Sequence, residues 1–318
     1  MIKAIRYIEN TYTSLSLVSK TLHHIKQQKS FAAKLLEPLL HEVTSLKSSD
    51  QFETTDSERM MQFAVYIPSF LGEAFCVLRG KAMSEAERQA LTYLASMTGL
   101  FDDMFDAKNE TDAHIQSLLQ HPALQHGMAQ QEVALVKLYV LFFEKIPDAQ
   151  PAQALMQTVF EAQVASRLQV EQPLSDKDLW QITSNKGGRT MQLFRCAFAG
   201  QATTTENHLF FLLGAAGQLE NDIFDMQKDT LANVQTLATT TKDLKQLRAR
   251  YLEACNEVVA GIEQTDFNPK NKKKFRQVCA MITARGLVAI HSYEQNKSIC
   301  DMEKWQNKLL TLHYAALL

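Results

Sequence analysis

The sequence is poor in the two residues that most often interrupt helices. Its 318 residues include only 11 glycines and 7 prolines, and both residue types are unfavourable inside a helix. No alternating strand pattern, internal repeat or low-complexity tract stands out, and apolar residues recur at helical spacing almost throughout. These absences argue against a β-rich fold and predict an all-α protein.

A strong charge bias and a long uncharged apolar run are also missing. The formal net charge is −2, so we expect no binding to nucleic acid. No uncharged apolar run reaches the roughly 18 residues of a membrane-spanning helix, and the first residues lack the apolar core of a signal peptide. We therefore expect neither a membrane span nor secretion.

The cysteines are few, scattered and odd in number. They are Cys76, Cys196, Cys255, Cys279 and Cys300, and no two of them form a CxxC pair. This usage favours free thiols in a reducing compartment over disulfides or a metal site. We expect a cytoplasmic protein.

Helical periodicity extends across the chain with no linker between two halves, so we expect one all-α domain over residues 1–318. Ser84 and Glu87 form an S-x-x-E capping box, which predicts a helix start. The predicted helices cover residues 2–28, 30–47, 57–80, 85–108, 127–145, 151–170, 175–185, 188–203, 207–232, 241–264, 270–298 and 301–316.

The first informative motif is Asp102-Asp103-Met104-Phe105-Asp106, which reads DDxxD. Asp102 and Asp106 are four residues apart, so a helix presents them on one face. The apolar residues upstream place the motif near the C-terminal end of a buried helix, where the negative partial charge repels carboxylates. A bound Mg²⁺ ion, which prefers carboxylates, water and phosphate oxygens, would compensate. The alternative is a solvated acidic helix end.

The second motif, NDxxDxxxD, has the same spacing. Asn221, Asp225 and Asp229 recur every four residues and form one stripe on a helix, with Asp222 beside it. An amide and aligned carboxylates can chelate a second Mg²⁺, although a polar helix face is the alternative. We expect the two motifs to come from facing helices and to form an Mg²⁺–diphosphate site.

Basic residues near the second motif are candidate donors to the diphosphate. Lys186 and Arg189 flank the adjacent glycines Gly187 and Gly188, which predict a helix break that exposes backbone groups. Arginine can donate two parallel hydrogen bonds to such a group, and Arg167 is a further candidate. A simple turn between helices with surface cations is the alternative.

A separate basic run covers residues 270–276 at a predicted helix start. A solvated face is one interpretation of this run. Attraction of a diphosphate or of an anionic membrane surface is the other.

Together these motifs resemble the class I isoprenoid synthase superfamily of trans-prenyltransferases and terpene cyclases. Residues 213–229 resemble the prenyltransferase pattern LGxxFQxxDDxxDxxxD, with Gly217 for Phe and Asn221 for Asp. They also resemble the cyclase pattern NDxx(S/T)xxxE, with Asp225 for Ser/Thr and Asp229 for Glu. Residues 189–195 resemble the prenyltransferase KTxxL segment, with Arg189 for Lys.

The resemblance implies a helical bundle with a central active-site cavity, three Mg²⁺ ions that Mn²⁺ can replace, and a prenyl diphosphate substrate. A homodimer is common for similar folds, and the basic run at residues 270–276 adds the expectation of peripheral membrane contact. The implied catalytic residues are Asp102, Asp103, Asp106 and Arg189. The implied metal ligands are Asp102, Asp106, Asn221, Asp222, Asp225 and Asp229. The implied diphosphate-binding residues are Lys186, Arg189, Thr190, Gln218 and Arg167.

One departure from the family pattern bears on the reaction. Chain-elongating prenyltransferases carry an arginine pair soon after the first motif, whereas residues 107–112 contain only Lys108 as a basic residue. The nearest counterpart of a second diphosphate site is Arg79-Gly80-Lys81. We therefore expect a terpene cyclase that acts on one diphosphate. A prenyltransferase that condenses two diphosphates is the alternative, and a non-catalytic lipid- or partner-binding protein is the third hypothesis.

Overall fold

The computed structural model describes the backbone of residues 2–46, 52–106, 111–125 and 127–295, and the side chains of these ranges except residues 2–18 and 106. All regular structure in these ranges is helical, which confirms the all-α prediction. The Asp106 side chain, Lys108, Cys300 and the predicted helix 301–316 lie outside the described residues.

Fourteen α-helices and one short π-helical segment, Pro68–Gly72, form the described part of the chain. The helices are α1 Ile2–Ser45, α2 Thr54–Ile67, α3 Glu73–Arg79, α4 Glu85–Asp106, α5 Asp112–Gln120, α6 Gln130–Lys145, α7 Ala149–Ser166, α8 Leu168–Glu171, α9 Asp176–Arg195, α10 Thr204–Phe224, α11 Met226–Leu231, α12 Leu237–Thr240, α13 Leu244–Gln264 and α14 Pro269–Glu294.

Several predicted boundaries differ from those of the structure. The predicted break between residues 28 and 30 is wrong, because α1 continues through it and through Pro38. The polar Gln28 at this point is buried, and its amide donates to the Ala64 carbonyl and to Thr92 Oγ1, both at 2.9 Å. The short helices α5 and α12 were not predicted, although Ile115, Leu118 and Leu119 of α5 follow helical spacing and are buried.

The chain divides into two compact units. One unit comprises residues 21–164 and 193–201, and in it α4 packs against both α2 and α6. Leu91 of α4 and Leu138 of α6 are fully buried. This unit carries the first acidic motif on a helix that is surrounded by apolar side chains.

The second unit comprises residues 1–20, 165–192 and 202–318. Within its described residues, α10 packs against α13 and α14, and these two helices also pack against each other. Leu209 of α10, Tyr251 of α13 and Ile290 of α14 are fully buried. This unit carries the second acidic motif at the end of α10. The prediction of one domain stays a prediction.

By length and composition alone, the segment Thr54–Arg79 is apolar enough to cross a membrane. Half of its most apolar 18-residue window is buried inside the protein, and it includes α2, which packs on α4. Core helices of soluble proteins pass the same test, so this segment is weak evidence for a span. The sequence predicted none.

The four described cysteines are free thiols that are buried or partly buried. Burial raises the pKa of Cys76, Cys196 and Cys255 to about 11 and that of Cys279 to about 12. Because the thiolate is the reactive form of cysteine, burial disfavours reaction of these side chains at neutral pH.

Candidate functional site

The first acidic motif lies in the last turn of α4, as predicted. The predicted capping box begins this helix: the backbone N–H of Ser84 donates to Glu87 Oε2 at 2.7 Å, and the backbone N–H of Glu87 donates to Ser84 Oγ at 3.2 Å. The buried face of α4, which includes Leu100 and Met104, anchors the helix in the core. The sequence therefore determines both where this helix starts and which residues end it.

Two side chains that no motif identified contact the acids of α4. Gln163 Nε2 of α7 donates a hydrogen bond to Asp102 Oδ1, and Arg59 of α2 forms an ion pair with Asp103. Arg59 offsets part of the negative charge at this helix end, where carboxylates are disfavoured. The amide of Gln163 helps to orient the Asp102 carboxylate.

The second acidic motif spans a local break in its helix. α10 ends at Phe224, and Asp225 adopts φ −84° and ψ 4° before α11 begins. The backbone bonds from Asp225 N to Asn221 O and from Asp229 N to Asp225 O are both 2.8 Å long. Because these bonds keep the helical spacing across the break, the three residues remain on one stripe, and Asn221 Nδ2 lies 3.4 Å from Asp225 Oδ2.

Neighbouring negative charges act on Asp229, the last carboxylate of this stripe. Burial, followed by the negative charges of Asp225 and Asp222, raises the pKa of Asp229 to about 6. Lys228, whose ammonium lies 4.0 Å from Asp225 Oδ2, and Lys186 act in the opposite direction. A cation bound beside Asp229 would offset the negative charge that these carboxylates share.

Asp222 has a different environment from the rest of the motif. It is buried, Oδ2 accepts from Thr183 Oγ1 at 2.8 Å, and Oδ1 accepts from Gln218 Nε2 at 2.9 Å. Burial raises the pKa of Asp222, whereas these hydrogen bonds and Lys186 lower it. Asp222 therefore joins α9 to α10 through neutral donors.

The predicted helix break at Gly187 and Gly188 is wrong, because α9 continues through both glycines. A Cβ atom on Gly187 would lie 2.1 Å from the carbonyl oxygen of Gly214, and one on Gly188 would lie 2.4 Å from the Phe211 ring. The glycines thus allow α9 and α10 to cross with their backbones in contact. The two glycines therefore serve helix packing, and they do not form the predicted break with exposed backbone groups.

The candidate diphosphate donors lie on and just before α9. The Arg189 guanidinium donates to Gln192 Oε1 at 3.1 Å and lies 5.3 Å from the centre of the Phe211 ring. Thr190 Oγ1 donates to the Lys186 carbonyl at 2.7 Å. Arg167 lies between α7 and α8. Lys186 is the candidate whose charge acts on Asp222 and Asp229.

Arg79, the nearest counterpart of a second diphosphate site, is held by contacts within the protein. Its guanidinium donates to both Glu87 carboxylate oxygens at 2.6 and 2.8 Å and lies 4.9 Å from the centre of the Phe198 ring. Burial alone would raise the pKa of Glu87, but Arg79 and the N–H groups of Ala199 and Ser84 lower it to about 2. The pair ties the capping box of α4 to the preceding helix.

We predict that Arg79→Met reduces stability rather than substrate affinity. Removal of Arg79 leaves the buried Glu87 carboxylate without a countercharge, which costs about 3–5 kcal/mol. The folded-state pKa of Glu87 lies below its ordinary value of 4.5, so the stabilising effect is present above that pH and is lost as pH falls towards about 2. Denaturant unfolding at pH 7 and pH 3 should therefore show a smaller difference from wild type at pH 3.

Arg88→Met is the matched control, because Arg88 pairs at 3.3 Å with the more exposed Glu73 and such pairs contribute less. A stable Arg79→Met variant with a weakened affinity for prenyl diphosphate would instead assign Arg79 to the substrate.

Two residues of the basic run at the start of α14 form contacts within the protein. Lys272 Nζ donates to the carbonyls of Glu263 and Thr265, both at 2.9 Å, and Arg276 Nη1 lies 3.0 Å from Glu263 Oε1. Lys273 and Lys274 are exposed. The exposed Lys273 and Lys274 fit the solvated-face interpretation, whereas Lys272 and Arg276 form contacts within the protein. Membrane binding stays a prediction.

Within the described side chains, no three His, Cys, Asp or Glu residues are grouped closely enough to form a metal site by themselves. Asp106 is not among these side chains. The first motif belongs to the unit of residues 21–164 and 193–201, and the second motif belongs to the other unit. The Mg²⁺ ligands therefore stay a prediction from the sequence.

Comparison with known proteins gives similarity to solved structures but none to a family model or a curated protein. No family model matches the sequence, and no curated protein matches it. The fold is similar to the crystal structure of a polyprenyl synthetase from Streptomyces coelicolor A3(2), with a TM-score of 0.49 and 13% sequence identity. The match covers 81% of this chain and 99% of that chain. The similarity concerns the helical fold and does not establish a reaction.

Proposed function

We propose that the protein is an Mg²⁺-dependent class I terpene synthase that ionises a prenyl diphosphate and releases diphosphate. The stripe of Asn221, Asp225 and Asp229 is the observation that carries this proposal. These residues stay on one side of a broken helix, and burial together with the neighbouring carboxylates raises the pKa of Asp229. A helix face with this arrangement suits a hard divalent cation.

The carboxylate and amide oxygens of the two motifs are of the ligand type that Mg²⁺ prefers, with water and phosphate oxygens completing its coordination. We assign Asp102 and Asp106 of the first motif as ligands, together with the stripe of the second motif. Three Mg²⁺ ions, or Mn²⁺ in their place, would neutralise the diphosphate and act as Lewis acids when bound. Asp222 instead holds α9 against α10, since Thr183 donates to one of its carboxylate oxygens and Gln218 donates to the other.

Other residues of the chain would bind and orient the departing group. Lys186 and Arg189 donate hydrogen bonds to diphosphate oxygens, and arginine retains further N–H groups beside the one that contacts Gln192. Thr190, Gln218 and Arg167 complete the proposed set. Apolar side chains would keep water from the carbocation until the reaction ends.

A prenyltransferase that condenses two diphosphates is the alternative. It needs a second basic pocket, and Arg79, the residue nearest to such a pocket in sequence, is bound to Glu87. This contact favours a single diphosphate.

We also propose that the protein is a cytoplasmic homodimer that makes peripheral contact with a membrane.

Product analysis tests the proposed reaction. Purified protein is incubated with Mg²⁺ and geranyl, farnesyl, geranylgeranyl or longer prenyl diphosphates singly, then with each plus isopentenyl diphosphate, and the products are identified by mass spectrometry. We expect a hydrocarbon or alcohol from one diphosphate alone. A product that forms only with isopentenyl diphosphate, and still carries diphosphate, would instead identify a prenyltransferase. Absence of product with every substrate would favour the non-catalytic hypothesis.

A further inference from the structure

Helix α14 holds the end of α10 at two positions that are four residues apart. Arg285 of α14 lies with Nε 3.5 Å from Glu220 Oε1, and its guanidinium lies 5.1 Å from the centre of the Phe224 ring. The hydroxyl of Tyr293 donates to the backbone carbonyl of Phe224 at 3.2 Å. Glu220 and Phe224 each precede a residue of the acidic stripe, so these contacts fix the adjacent face of the same helix end.

The contact from Tyr293 falls at the break between α10 and α11. Carbonyl groups in the last turn of a helix lack partners within the helix, and Phe224 is the final residue of α10. Tyr293 is 8% exposed, so the side chain that reaches this carbonyl is itself packed within the protein. The next residue, Asp225, is the central member of the acidic stripe.

We propose that Tyr293 is a positioning residue for the second acidic motif, because its hydroxyl holds the Phe224 carbonyl and so sets the orientation of Asp225 towards Asn221 and Asp229. This inference rests on the proposed function. Arg285 supports the same helix end through Glu220 and the Phe224 ring. Tyr293 itself needs no contact with metal or substrate.

A small displacement of the Asp225 carboxylate is expected to weaken metal binding strongly. Mg²⁺ requires near-ideal octahedral geometry with short oxygen distances, so a rotated Asp225 carboxylate loses affinity. Substitution of residues that orient metal ligands from outside typically costs about 10- to 100-fold in metal affinity or activity. Tyr293→Phe removes the hydroxyl and keeps the packed ring, which makes it the direct test.

The experiment measures Mn²⁺ binding to the full-length protein by the loss of the free Mn²⁺ electron paramagnetic resonance signal, with inorganic diphosphate present. We expect Tyr293→Phe to raise the half-saturating Mn²⁺ concentration about tenfold. Asp225→Asn identifies the part of the binding that belongs to the second motif, and Tyr293→Phe should weaken that same part.

Thr265→Val is the matched control for stability. It removes another hydroxyl-to-carbonyl hydrogen bond of a buried side chain, from Thr265 Oγ1 to the Ile262 carbonyl at 2.7 Å, at the end of α13. We expect both variants to lower the Tm but only Tyr293→Phe to weaken Mn²⁺ binding. Equal weakening in both variants, or wild-type binding in Tyr293→Phe, would overturn the positioning function. A wild-type protein that binds no Mn²⁺ would instead refute the proposed metal site, and the inference with it.

Discussion

Asp102→Ala is expected to abolish turnover while the protein stays folded. A metal ligand contributes several kcal/mol to stabilisation of the developing charge, and a loss of about 4 kcal/mol corresponds to roughly a thousandfold lower rate. The measurement is product formation from the substrate that wild type accepts, at saturating Mg²⁺, with circular dichroism and thermal unfolding of the same sample.

Two further variants separate the loss of charge from the loss of packing. Asp102→Asn keeps an oxygen acceptor for the Gln163 amide but removes the carboxylate, so it should lose turnover as Asp102→Ala does. Glu85→Ala removes an exposed carboxylate from the first turn of the same helix and should leave turnover unchanged. Wild-type turnover in a folded Asp102→Ala protein would refute the metal assignment.

Gly187→Ala is expected to reduce the free energy of unfolding by about 3 kcal/mol, at the upper end of the usual cost of overpacking. The added methyl group would lie 2.1 Å from the carbonyl oxygen of Gly214, which is backbone and cannot rotate away. Separation of α9 from α10 would also strain the hydrogen bond between Thr183 and Asp222. Denaturant unfolding of the purified variant measures the change.

Gly217→Ala is the matched control on α10. An added methyl group at Gly217 would meet no atom within 4 Å, and the residue is exposed in the helix. Alanine is the better helix former by about 0.5–1 kcal/mol, so this variant should be more stable than wild type. Equal stability of the two alanine variants would show that α9 and α10 do not cross at Gly187.

Local sequence patterns predicted the features that arise from neighbouring residues. The capping box of Ser84 and Glu87, and the four-residue spacing of Asn221, Asp225 and Asp229, occur in the structure as predicted. A helix repeats every 3.6 residues, so the sequence alone determines which side chains share a face. The all-α class follows from the same periodicity.

Contacts between residues far apart in the chain required the tertiary structure. The donors Gln163 and Arg59 of the first motif, and Tyr293 at the break in α10, belong to no local pattern. Gly187 and Gly188 appeared to interrupt a helix because glycine lowers helix propensity, but packing against α10 outweighs that local preference. The sequence by itself determined the helices and the acidic stripe, whereas tertiary packing decided which side chains hold the acids, because these partners depend on how helices approach one another.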